Sequence, residues 1–361
     1  MRSKTIAVIM GALAAVLGPV GAASAEDLAR TNLKLIGSPV NSPNWVNILK
    51  PFWLERIPEA SGGQITVDGI SMTDVGVKGP EMLRLAKAGV ADLIAGSTTL
   101  VSGELPENDG IDIAGLIQST DTLRKVIDAY LPTLRKLYEE KAGVTPIGFW
   151  PTGAQVFWCA TAIGGLDDLK NKKVRVFSAT TANFVESIGA IPVTMSFSEV
   201  VPALQRNVID CALTGANSGN IAKWTDVTTH VYPLVVGWGI NFVVANTASW
   251  NKLDPEVRAF LEERVSTDMV PAGWKMAEDA TQHGIWCTVG DERCDVDATA
   301  PKKLEKRDLT LVPVTPEDEQ ALKNLIAQSQ LPEFSARCGE ACVERWNETV
   351  GAVVEVSAPA P

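Results

Sequence analysis

The strongest constraint on the fold of this chain is an alternation of strand-like and helix-like segments that occurs twice. In the first round, "TNLKLIGSP" has the pattern of a strand and a turn, and residues 44–63 have helical spacing; "ITVDGI", "PEMLRLAKAG" and "VADLIAG" continue as strand, helix and strand. The second round begins at Lys173 with "KVRVF", "TTANFVESIG" and "IPVTM", followed by a further helix and strand. Such alternation predicts a layered α/β fold.

The two rounds also resemble each other in sequence. Residues 82–98 and 201–217 each read as a helix, a short turn, a Val-x-Asp step, an apolar strand and a glycine. This places Asp92 and Asp210 at matching positions and Gly96 near Gly215. We interpret the similarity as two α/β lobes with a ligand cleft where the carboxyl ends of their strands face each other. The alternative is an ordinary helix-to-strand connection without a shared geometry.

The first 25 residues have the layout of a secretory signal peptide, with Arg2 and Lys4, a short apolar run and small residues at 23–25. We therefore expect cleavage after Ala25 and export to the periplasm. No later stretch of the sequence reaches the length of a membrane span. The net charge of the full chain is -11, which disfavours nucleic-acid binding because phosphate contacts need a basic surface.

Residues that carry catalysis are scarce. His230 and His283 are the only histidines, and each is better explained as an ordinary surface or core residue than as a catalytic group. The sequence has no His-Glu-x-x-His motif, phosphate-binding glycine loop or Gly-x-Ser-x-Gly elbow. We expect a binding protein without metal or cofactor. A glycosidase-like acid and base stay open as an alternative, because the spacing of carboxylate pairs in sequence is arbitrary.

Export makes disulfides possible for the six cysteines. Cys159 and Cys211 lie in apolar, strand-like segments and are either buried thiols or a pair joining neighbouring strands. The other four could bind zinc, but their spacing matches no common zinc motif. We favour disulfides instead for two pairs that are close in sequence, Cys287 with Cys294 and Cys338 with Cys342.

Arg175 is the most unusual residue in the strand pattern. It lies between Val174 and Val176, and side chains alternate between the two faces of a strand, so Arg175 and Phe177 share one face. No neighbour in sequence can neutralise its charge. Either that face is solvated or an anion binds to it. Among the ten tryptophans, Trp45 and Trp238 adjoin strand ends and turns, and we predict them to line the cleft.

Residues 167–215 carry a series of motifs around Arg175 in a fixed order. The motifs are Asp168-Leu169-Lys170, Val174-Arg175-Val176, Gly189-Ala190, Met195-x-Phe197-Ser198-Glu199-Val200, Ala203-Leu204-Gln205 and Val208-Ile209-Asp210. In this order and spacing the segment resembles the substrate-binding proteins of tripartite ATP-independent periplasmic (TRAP) transporters. The likeness extends more loosely to "GVADLI" and "VANTASWNKLDPEV".

This resemblance implies a two-lobed periplasmic binding protein fold with a hinge and a long helix that supports both lobes. In this chain the helical run from residue 254 to about 284 matches that helix, and Pro271 predicts a kink or break near Met269. The resemblance also implies that an organic acid is captured in the cleft and handed to the TRAP permease in the membrane.

The site residues follow from the same resemblance. Arg175 matches the family arginine that forms a bidentate salt bridge with the ligand carboxylate, and Phe197 matches the aromatic residue that packs over the ligand. Gln155 stands where many members have a second arginine, and Thr214 stands where many have an asparagine. Ser97 occupies a position that is acidic in sialic-acid binders.

These departures remove charge from the predicted cleft. We therefore favour a monocarboxylate with an apolar or aromatic body, with Gln155, Thr214 and Asn217 as neutral hydrogen-bonding groups. The alternatives are a C4-dicarboxylate or another organic acid, an exported α/β hydrolase or lyase, and a binding protein that serves an ATP-driven permease or a sensor. We expect the protein to be a monomer.

The predicted domain organisation has four parts. Residues 1–25 are the signal peptide, and residues 351–361 form a loose tail. Lobe I comprises residues 26–152 plus about 240–275. Lobe II comprises residues 153–239 plus about 276–350 with the C-terminal helices.

Overall fold

The computed structural model describes residues 28–361, which contain two β-sheets flanked by helices. The predicted signal peptide and its cleavage site lie outside the described residues. The strands are β1 (Thr31–Gly37), β2 (Ile65–Ser71), β3 (Leu93–Ser97), β4 (Val144–Pro151), β5 (Gln155–Cys159), β6 (Lys173–Val176), β7 (Ile191–Thr194), β8 (Cys211–Gly215), β9 (His230–Gly237), β10 (Ile240–Asn246) and β11 (Thr310–Leu311).

Helices connect most of these strands. The α-helices are α1 (Ile57–Ala60), α2 (Met82–Lys87), α3 (Thr120–Leu137), α4 (Ala179–Ser187), α5 (Val200–Gln205), α6 (Ala216–Ile221), α7 (Thr247–Lys252), α8 (Pro255–Arg264), α9 (Val270–Thr288), α10 (Pro316–Leu325), α11 (Leu331–Cys338), α12 (Glu340–Trp346) and α13 (Ala352–Val354). Tight or wide helical turns occupy Asn44–Leu49, Pro51–Arg56, Gly79–Glu81, Thr98–Val101, Pro106–Ile111, Tyr138–Ala142, Leu166–Leu169, Phe197–Glu199, Trp224–Asp226, Val265–Met269, Ile326–Gln330 and Asn347–Gly351.

The two sheets are built on the same plan. The first has the order β2-β1-β3-β10-β4, in which β1 runs parallel to β2 and β3, and β10 is antiparallel to β3 and β4. The second has the order β11-β9-β5-β8-β6-β7, in which β6 runs parallel to β7 and β8, and β5 is antiparallel to β8 and β9. The α/β prediction is confirmed. We use lobe I for the unit around the first sheet and lobe II for the unit around the second.

The similarity between residues 82–98 and 201–217 corresponds to equivalent hydrogen bonds in the two lobes. In lobe I, Asp92 Oδ2 accepts from the backbone N–H of Lys34 at 2.9 Å. In lobe II, Asp210 Oδ2 accepts from the backbone N–H of Lys173 at 2.8 Å. Each aspartate therefore ties the segment before a strand to a neighbouring parallel strand, β1 in lobe I and β6 in lobe II.

Two strand connections cross from one sheet to the other, and they lie side by side. Residues 152–154 join β4 to β5, and Trp238 and Gly239 join β9 to β10. The backbone N–H of Thr152 donates to Gly239 O at 2.9 Å, and its hydroxyl donates to Trp238 O. Gly239 has a φ of 70°, a left-handed conformation that favours glycine. A rotation of one sheet against the other would change the backbone at these residues.

The long helical run begins at Pro255 and ends at Thr288. The predicted interruption near Met269 is a wide turn over Val265–Met269, and Pro271 lies in the first turn of α9. Glycines bring α9 close to both lobes. A side chain at Gly273 would overlap Trp150 of the first sheet, and one at Gly284 would overlap the backbone at Asn217.

The C-terminal helices also contact the first part of the chain. Trp346 Nε1 donates to Gly110 O at 2.7 Å, and Arg337 forms an ion pair with the buried Asp109. The sequence-based division assigns these helices to lobe II, and its boundaries stay a prediction. Within residues 28–361 no helix combines the length and apolarity needed to cross a bilayer.

Three disulfides are present in the described chain. Cys159 and Cys211 are opposite each other in β5 and β8, with Cα atoms 4.0 Å apart, so the interpretation of these residues as buried thiols is wrong. The other disulfides join Cys287 to Cys294 and Cys338 to Cys342, with Cα separations of 4.6 and 5.4 Å. The zinc alternative is therefore replaced by disulfide pairing.

Candidate functional site

Arg175 lies in the interior of the second sheet. Strand β6 places it opposite Val193 of β7 and Ala212 of β8. Val174 and Val176 point into the large core on one side of the sheet. By alternation Arg175 points to the other side, where Ala212 belongs to a second core cluster.

The charge of Arg175 has no acidic partner within hydrogen-bonding reach in residues 28–361. Only 3% of the residue is exposed, and its Nε and Nη1 donate to Met195 O at 3.2 Å and to Leu213 O at 2.8 Å. Burial lowers the pKa of Arg175 to about 10, and the charge of Glu199 partly opposes this shift. The guanidinium therefore stays protonated at neutral pH, with donors to spare for an anion.

Aromatic rings surround the guanidinium. Its Cζ lies 5.3 Å from the ring centre of Phe177 and 5.8 Å from that of Trp224. Phe197 lies against Trp224 with ring centroids 5.3 Å apart, and Trp158 meets Trp224 edge to face at 6.4 Å. Cations interact favourably with aromatic faces, so these rings partly offset the cost of burying the charge.

The sequence analysis did not assign Phe177 or Trp224 to the site. The sequence did contain a signal for Phe177, since strand alternation puts it on the same face as Arg175. The sequence contained no such signal for Trp224. This residue comes from a short turn almost fifty positions further along the chain and reaches Arg175 only through the fold.

Neutral polar groups follow on the same face of lobe II. Thr214 is buried in β8 two residues after Ala212, and its hydroxyl has no hydrogen-bond partner in the described chain. Asn217 is buried in the first turn of α6, close to Gly153 of the first crossing, and its Oδ1 accepts from Ser218. The structure thus places Thr214 on the face of Arg175 and Asn217 just beyond the end of β8.

Gln155 and Trp238 lie at the crossings between the sheets. Gln155 Nε2 donates to Gly153 O at 3.1 Å and is 3.3 Å from the Thr152 hydroxyl. Trp238 is 2% exposed and its indole N–H donates to Ile117 O at 2.9 Å. Gln155 Nε2 and the Trp238 indole N–H are thus both used in hydrogen bonds to backbone carbonyls at or near the crossings.

The predicted lobe I residues divide between core and edge. Trp45 is 6% exposed and lies over Gly37 in the lobe I core, so it supports the sheet. Ser97 is half-buried at the end of β3, with its hydroxyl 3.0 Å from that of Thr99. Asn241, which the sequence analysis missed, lies opposite Ser97 in β10 and is buried, and its Nδ2 has no partner among the described residues.

The arrangement is suited to binding and offers little for covalent chemistry. It contains one buried cation, aromatic faces and neutral amides and hydroxyls. Among residues 28–361 no group of three or more His, Cys, Asp or Glu side chains is placed to hold a metal ion. A guanidinium with unused donors in an apolar setting recognises a carboxylate by paired, charge-assisted hydrogen bonds.

Comparison with protein families matches residues 41–283 to bacterial extracellular solute-binding protein family 7, the DctP family. The chain therefore belongs to this family, the solute-binding proteins of TRAP transporters. The predicted family resemblance is confirmed.

Three curated relatives align over different lengths. YiiZ of Salmonella typhimurium, an uncharacterised protein, is 26% identical over 63% of this chain and 71% of its own. The C4-dicarboxylate-binding periplasmic protein DctP of Rhodobacter capsulatus is 28% identical over 44% of this chain and 48% of its own. The solute-binding protein RD1_1052 of Roseobacter denitrificans is 23% identical over 88% of this chain and 97% of its own.

Solved structures of TRAP solute-binding proteins share the fold. DctP7 of Bordetella pertussis, a receptor that binds pyroglutamic acid, has a TM-score of 0.73 and 20% identity, covering 88% of this chain and 99% of its own. A protein of Desulfovibrio salexigens with bound orotic acid has a TM-score of 0.72 and 15% identity, covering 89% and 99%. A protein of Sulfurospirillum deleyianum with bound succinate has a TM-score of 0.69 and 20% identity, covering 91% and 98%. The two-lobed fold predicted from the sequence is confirmed.

Proposed function

We propose that this protein captures an organic acid with a single carboxylate and an apolar or aromatic body, and delivers it to a TRAP permease. The acid binds between the lobes, with its carboxylate on Arg175. Binding requires no chemical change in the ligand, so the protein acts as a receptor in the periplasm and is not an enzyme.

The observation that carries this proposal is the buried, unpaired charge of Arg175. Burying a guanidinium without an anion is costly, as the lowered pKa of Arg175 reflects. A carboxylate repays that cost through two parallel N–H···O bonds. The charge is thus explained by a ligand that completes the pair.

The ligand body is inferred from the rings near the guanidinium. Phe177, Phe197 and Trp224 offer apolar faces to a group attached to the carboxylate. Thr214 and Asn217 add neutral hydrogen bonds, which suit a carbonyl or amide better than a second carboxylate. Pyroglutamic and orotic acids, the ligands of two structural relatives, have this chemistry: one carboxylate on a ring that carries amides.

A C4-dicarboxylate is the second candidate. It is favoured by the Rhodobacter capsulatus relative, which is named as a C4-dicarboxylate-binding protein, and by the succinate in a structural relative. It is disfavoured by the position of Gln155, whose amide is engaged at the crossings and carries no charge.

A screen with matched ligand pairs tests the proposal. We expect pyroglutamate or orotate to raise the melting temperature, because a ligand that binds only the folded state stabilises it. Their counterparts without the carboxylate, 2-pyrrolidinone and uracil, should leave it unchanged. Succinate and galacturonate complete the panel, and calorimetry then gives the dissociation constant of each acid that stabilises the protein.

The outcomes separate the candidates. Tightest binding of succinate would replace the monocarboxylate proposal with the dicarboxylate one. Equal stabilisation by uracil and orotate would contradict carboxylate recognition altogether. Proton NMR of the acid after overnight incubation should show no product, whereas turnover would favour the hydrolase or lyase alternative.

The domain boundaries and the monomeric state form part of the same proposal. Lobe I is taken as residues 26–152 plus about 240–275, and lobe II as residues 153–239 plus about 276–350. Limited proteolysis with and without the acid tests the division, since cleavage should fall near the two crossings in the open form. Light scattering should give the mass of one chain.

A further inference from the structure

A buried carboxylate binds the second crossing between the sheets. Asp112 Oδ2 accepts from the backbone N–H groups of Gly239 at 2.8 Å and Trp238 at 3.0 Å, and its Oδ1 lies 3.1 Å from the Trp238 nitrogen. Asp112 comes from the stretch between β3 and α3, far from both residues in sequence. It is the only side chain in residues 28–361 that accepts hydrogen bonds from these two backbone groups.

No cation balances this carboxylate within the described chain. Asp112 is 7% exposed, and Gly237 leaves just enough room for it, since a Cβ there would lie 3.1 Å from Oδ2. The nearby Asp109 is already paired with Arg337 and bound by the Ser102 hydroxyl at 2.6 Å. Burial raises the pKa of Asp112 to about 6, and the two backbone donors partly offset this effect.

The rest of the same stretch follows the end of β9. Gly115 N donates to Val236 O at 2.7 Å, and Gln118 Nε2 donates to Val235 O at 3.0 Å. Residues 112–118 therefore run beside the strand up to its crossing, and Asp112 lies where the chain passes into the other lobe. A separate element thus determines the orientation of the peptide groups at that point.

The orientation of these peptide groups matters for lobe closure. Trp238 and Gly239 are where the chain leaves one sheet and enters the other, so rotation of the lobes changes their backbone dihedrals. A carboxylate that accepts both N–H groups resists that change, because turning either peptide breaks a charge-assisted hydrogen bond. Asp112 makes these hydrogen bonds in the arrangement of the lobes described here.

We propose that this arrangement is the closed one and that Asp112 is a positioning residue for lobe closure, which holds the Trp238–Gly239 crossing in its present geometry and slows ligand release without touching the ligand. The claim that Asp112 slows ligand release rests on the proposed function. The claim that Asp112 fixes the crossing depends only on the two-lobed fold.

Two variants test the role of Asp112. Asp112→Ala removes both acceptor oxygens, and Asp112→Asn keeps one oxygen for the two backbone donors. Hydrogen exchange of the ligand-free protein should show the Trp238 and Gly239 amides exchanging about tenfold or more faster in Asp112→Ala, with the rest of β10 unchanged. Asp112→Asn should stay near the parent. Unchanged exchange at Trp238 and Gly239, or faster exchange across both sheets alike, would overturn the proposal.

Release kinetics give the second measurement, with pyroglutamate as the probe and tryptophan fluorescence as the signal. We expect Asp112→Ala to raise the dissociation rate constant about tenfold with little effect on association, and Asp112→Asn to recover most of the parent rate. Asp318→Ala is the matched control, because Asp318 is a buried carboxylate that binds backbone N–H groups of Leu166 and Thr315 away from the crossings. It should lower stability and leave release unchanged.

The two proposals fail in different ways. If pyroglutamate and every other acid of the panel fail to bind the parent protein, the proposed ligand class is wrong, and the exchange measurement still decides the role of Asp112. If pyroglutamate binds and both Asp112 variants release it at the parent rate, the hinge proposal is wrong and the ligand proposal stands.

Discussion

The two lobes have the same strand plan but different side chains at equivalent positions. Asp92 and Asp210 bind the backbones of Lys34 and Lys173, so position 36 of β1 corresponds to position 175 of β6. The pairing registers agree, since Ile36 is opposite Ile94 and Arg175 is opposite Ala212. Lobe I therefore has an aliphatic side chain where lobe II has a guanidinium.

Two further pairs of equivalent positions also differ in side chain between the lobes. Phe197 begins the short turn before α5, and the corresponding turn before α2 begins at Gly79, with Glu199 and Glu81 accepting from equivalent backbone groups. Thr214 corresponds to Gly96, which is packed beneath Met82. At these equivalent positions lobe I thus has aliphatic or small residues, and lobe II has a charged, an aromatic and a hydroxyl side chain. We infer that lobe II determines which anion is bound.

The largest expected effect comes from truncating Arg175, compared with truncating Ile36, its counterpart in lobe I. Arg175→Ala should weaken acid binding by about 3 kcal/mol or more, over a hundredfold, because the ligand carboxylate loses its charged partner. Ile36→Ala should lower the free energy of unfolding by about 3 kcal/mol and leave affinity intact at temperatures where it is folded.

Calorimetry and chemical unfolding separate these two outcomes. Arg206→Ala serves as the control, since Arg206 is an exposed arginine of the same lobe. Equal losses of affinity in Ile36→Ala and Arg175→Ala would contradict the division of roles between the lobes.

The next largest effect is the loss of stability when the disulfide between β5 and β8 is removed. Within the described residues the lobe I sheet has no such disulfide. Cys159 and Cys211 are 52 positions apart, and loss of that cross-link should lower the free energy of unfolding by about 3 to 4 kcal/mol. We expect the double variant Cys159→Ala, Cys211→Ala to shift the denaturation midpoint accordingly. A shift below about 1 kcal/mol would mean that the strands are held by pairing alone.

The difference between the two crossings leads us to expect that stability depends on pH, because only the Trp238–Gly239 crossing is bound by a carboxylate. The pKa of Asp112 is raised from 3.8 to about 6, so the folded state binds a proton more tightly than the unfolded state. This contribution to stability is fully present below about pH 4 and is lost as the pH rises to about 6, amounting to roughly 3 kcal/mol. Asp112→Asn should lack this change when denaturation is followed from pH 4 to pH 7. An identical pH profile in the variant would show that another group is responsible.

The smallest effect tests the equivalent aspartates. Asp92→Ala and Asp210→Ala should each lower the free energy of unfolding by about 1 kcal/mol, because each loses a similar hydrogen bond to a backbone N–H. Only Asp210→Ala should also weaken acid binding, since Lys173 lies two residues before Arg175. Asp167→Ala, at an exposed carboxylate in lobe II, is the control for removal of charge. Matching losses of affinity in both lobes would argue against a separate recognition role for lobe II.

The sequence predicted those features that depend on local pattern. Strand and helix periodicity gave the α/β plan, and the Val-x-Asp steps gave the correspondence between Asp92 and Asp210. Arg175 was identified because a charge in an apolar strand violates that pattern. Phe177 followed from alternation, although it was not assigned to the site.

Features that depend on long-range placement were not predictable. The hydrogen bonds of Gln155 to Gly153 O and of the Trp238 backbone N–H to Asp112, more than a hundred positions away, could not be read from the sequence, and the place of both residues in the cleft stays a prediction. Trp224 and Asn241 reach their neighbours Arg175 and Ser97 through the tertiary fold, since each is far from its neighbour in sequence. Sequence position near a strand end did not reveal which face or which neighbour each side chain would have.

The most direct test of the central claim is a crystal structure of the protein with the tightest-binding acid of the panel. We predict both carboxylate oxygens at about 2.7 to 2.9 Å from guanidinium nitrogens of Arg175, with the ligand body against Phe177 and Phe197. A carboxylate held by any other group, with Arg175 still bound only to Met195 O and Leu213 O, would contradict the account.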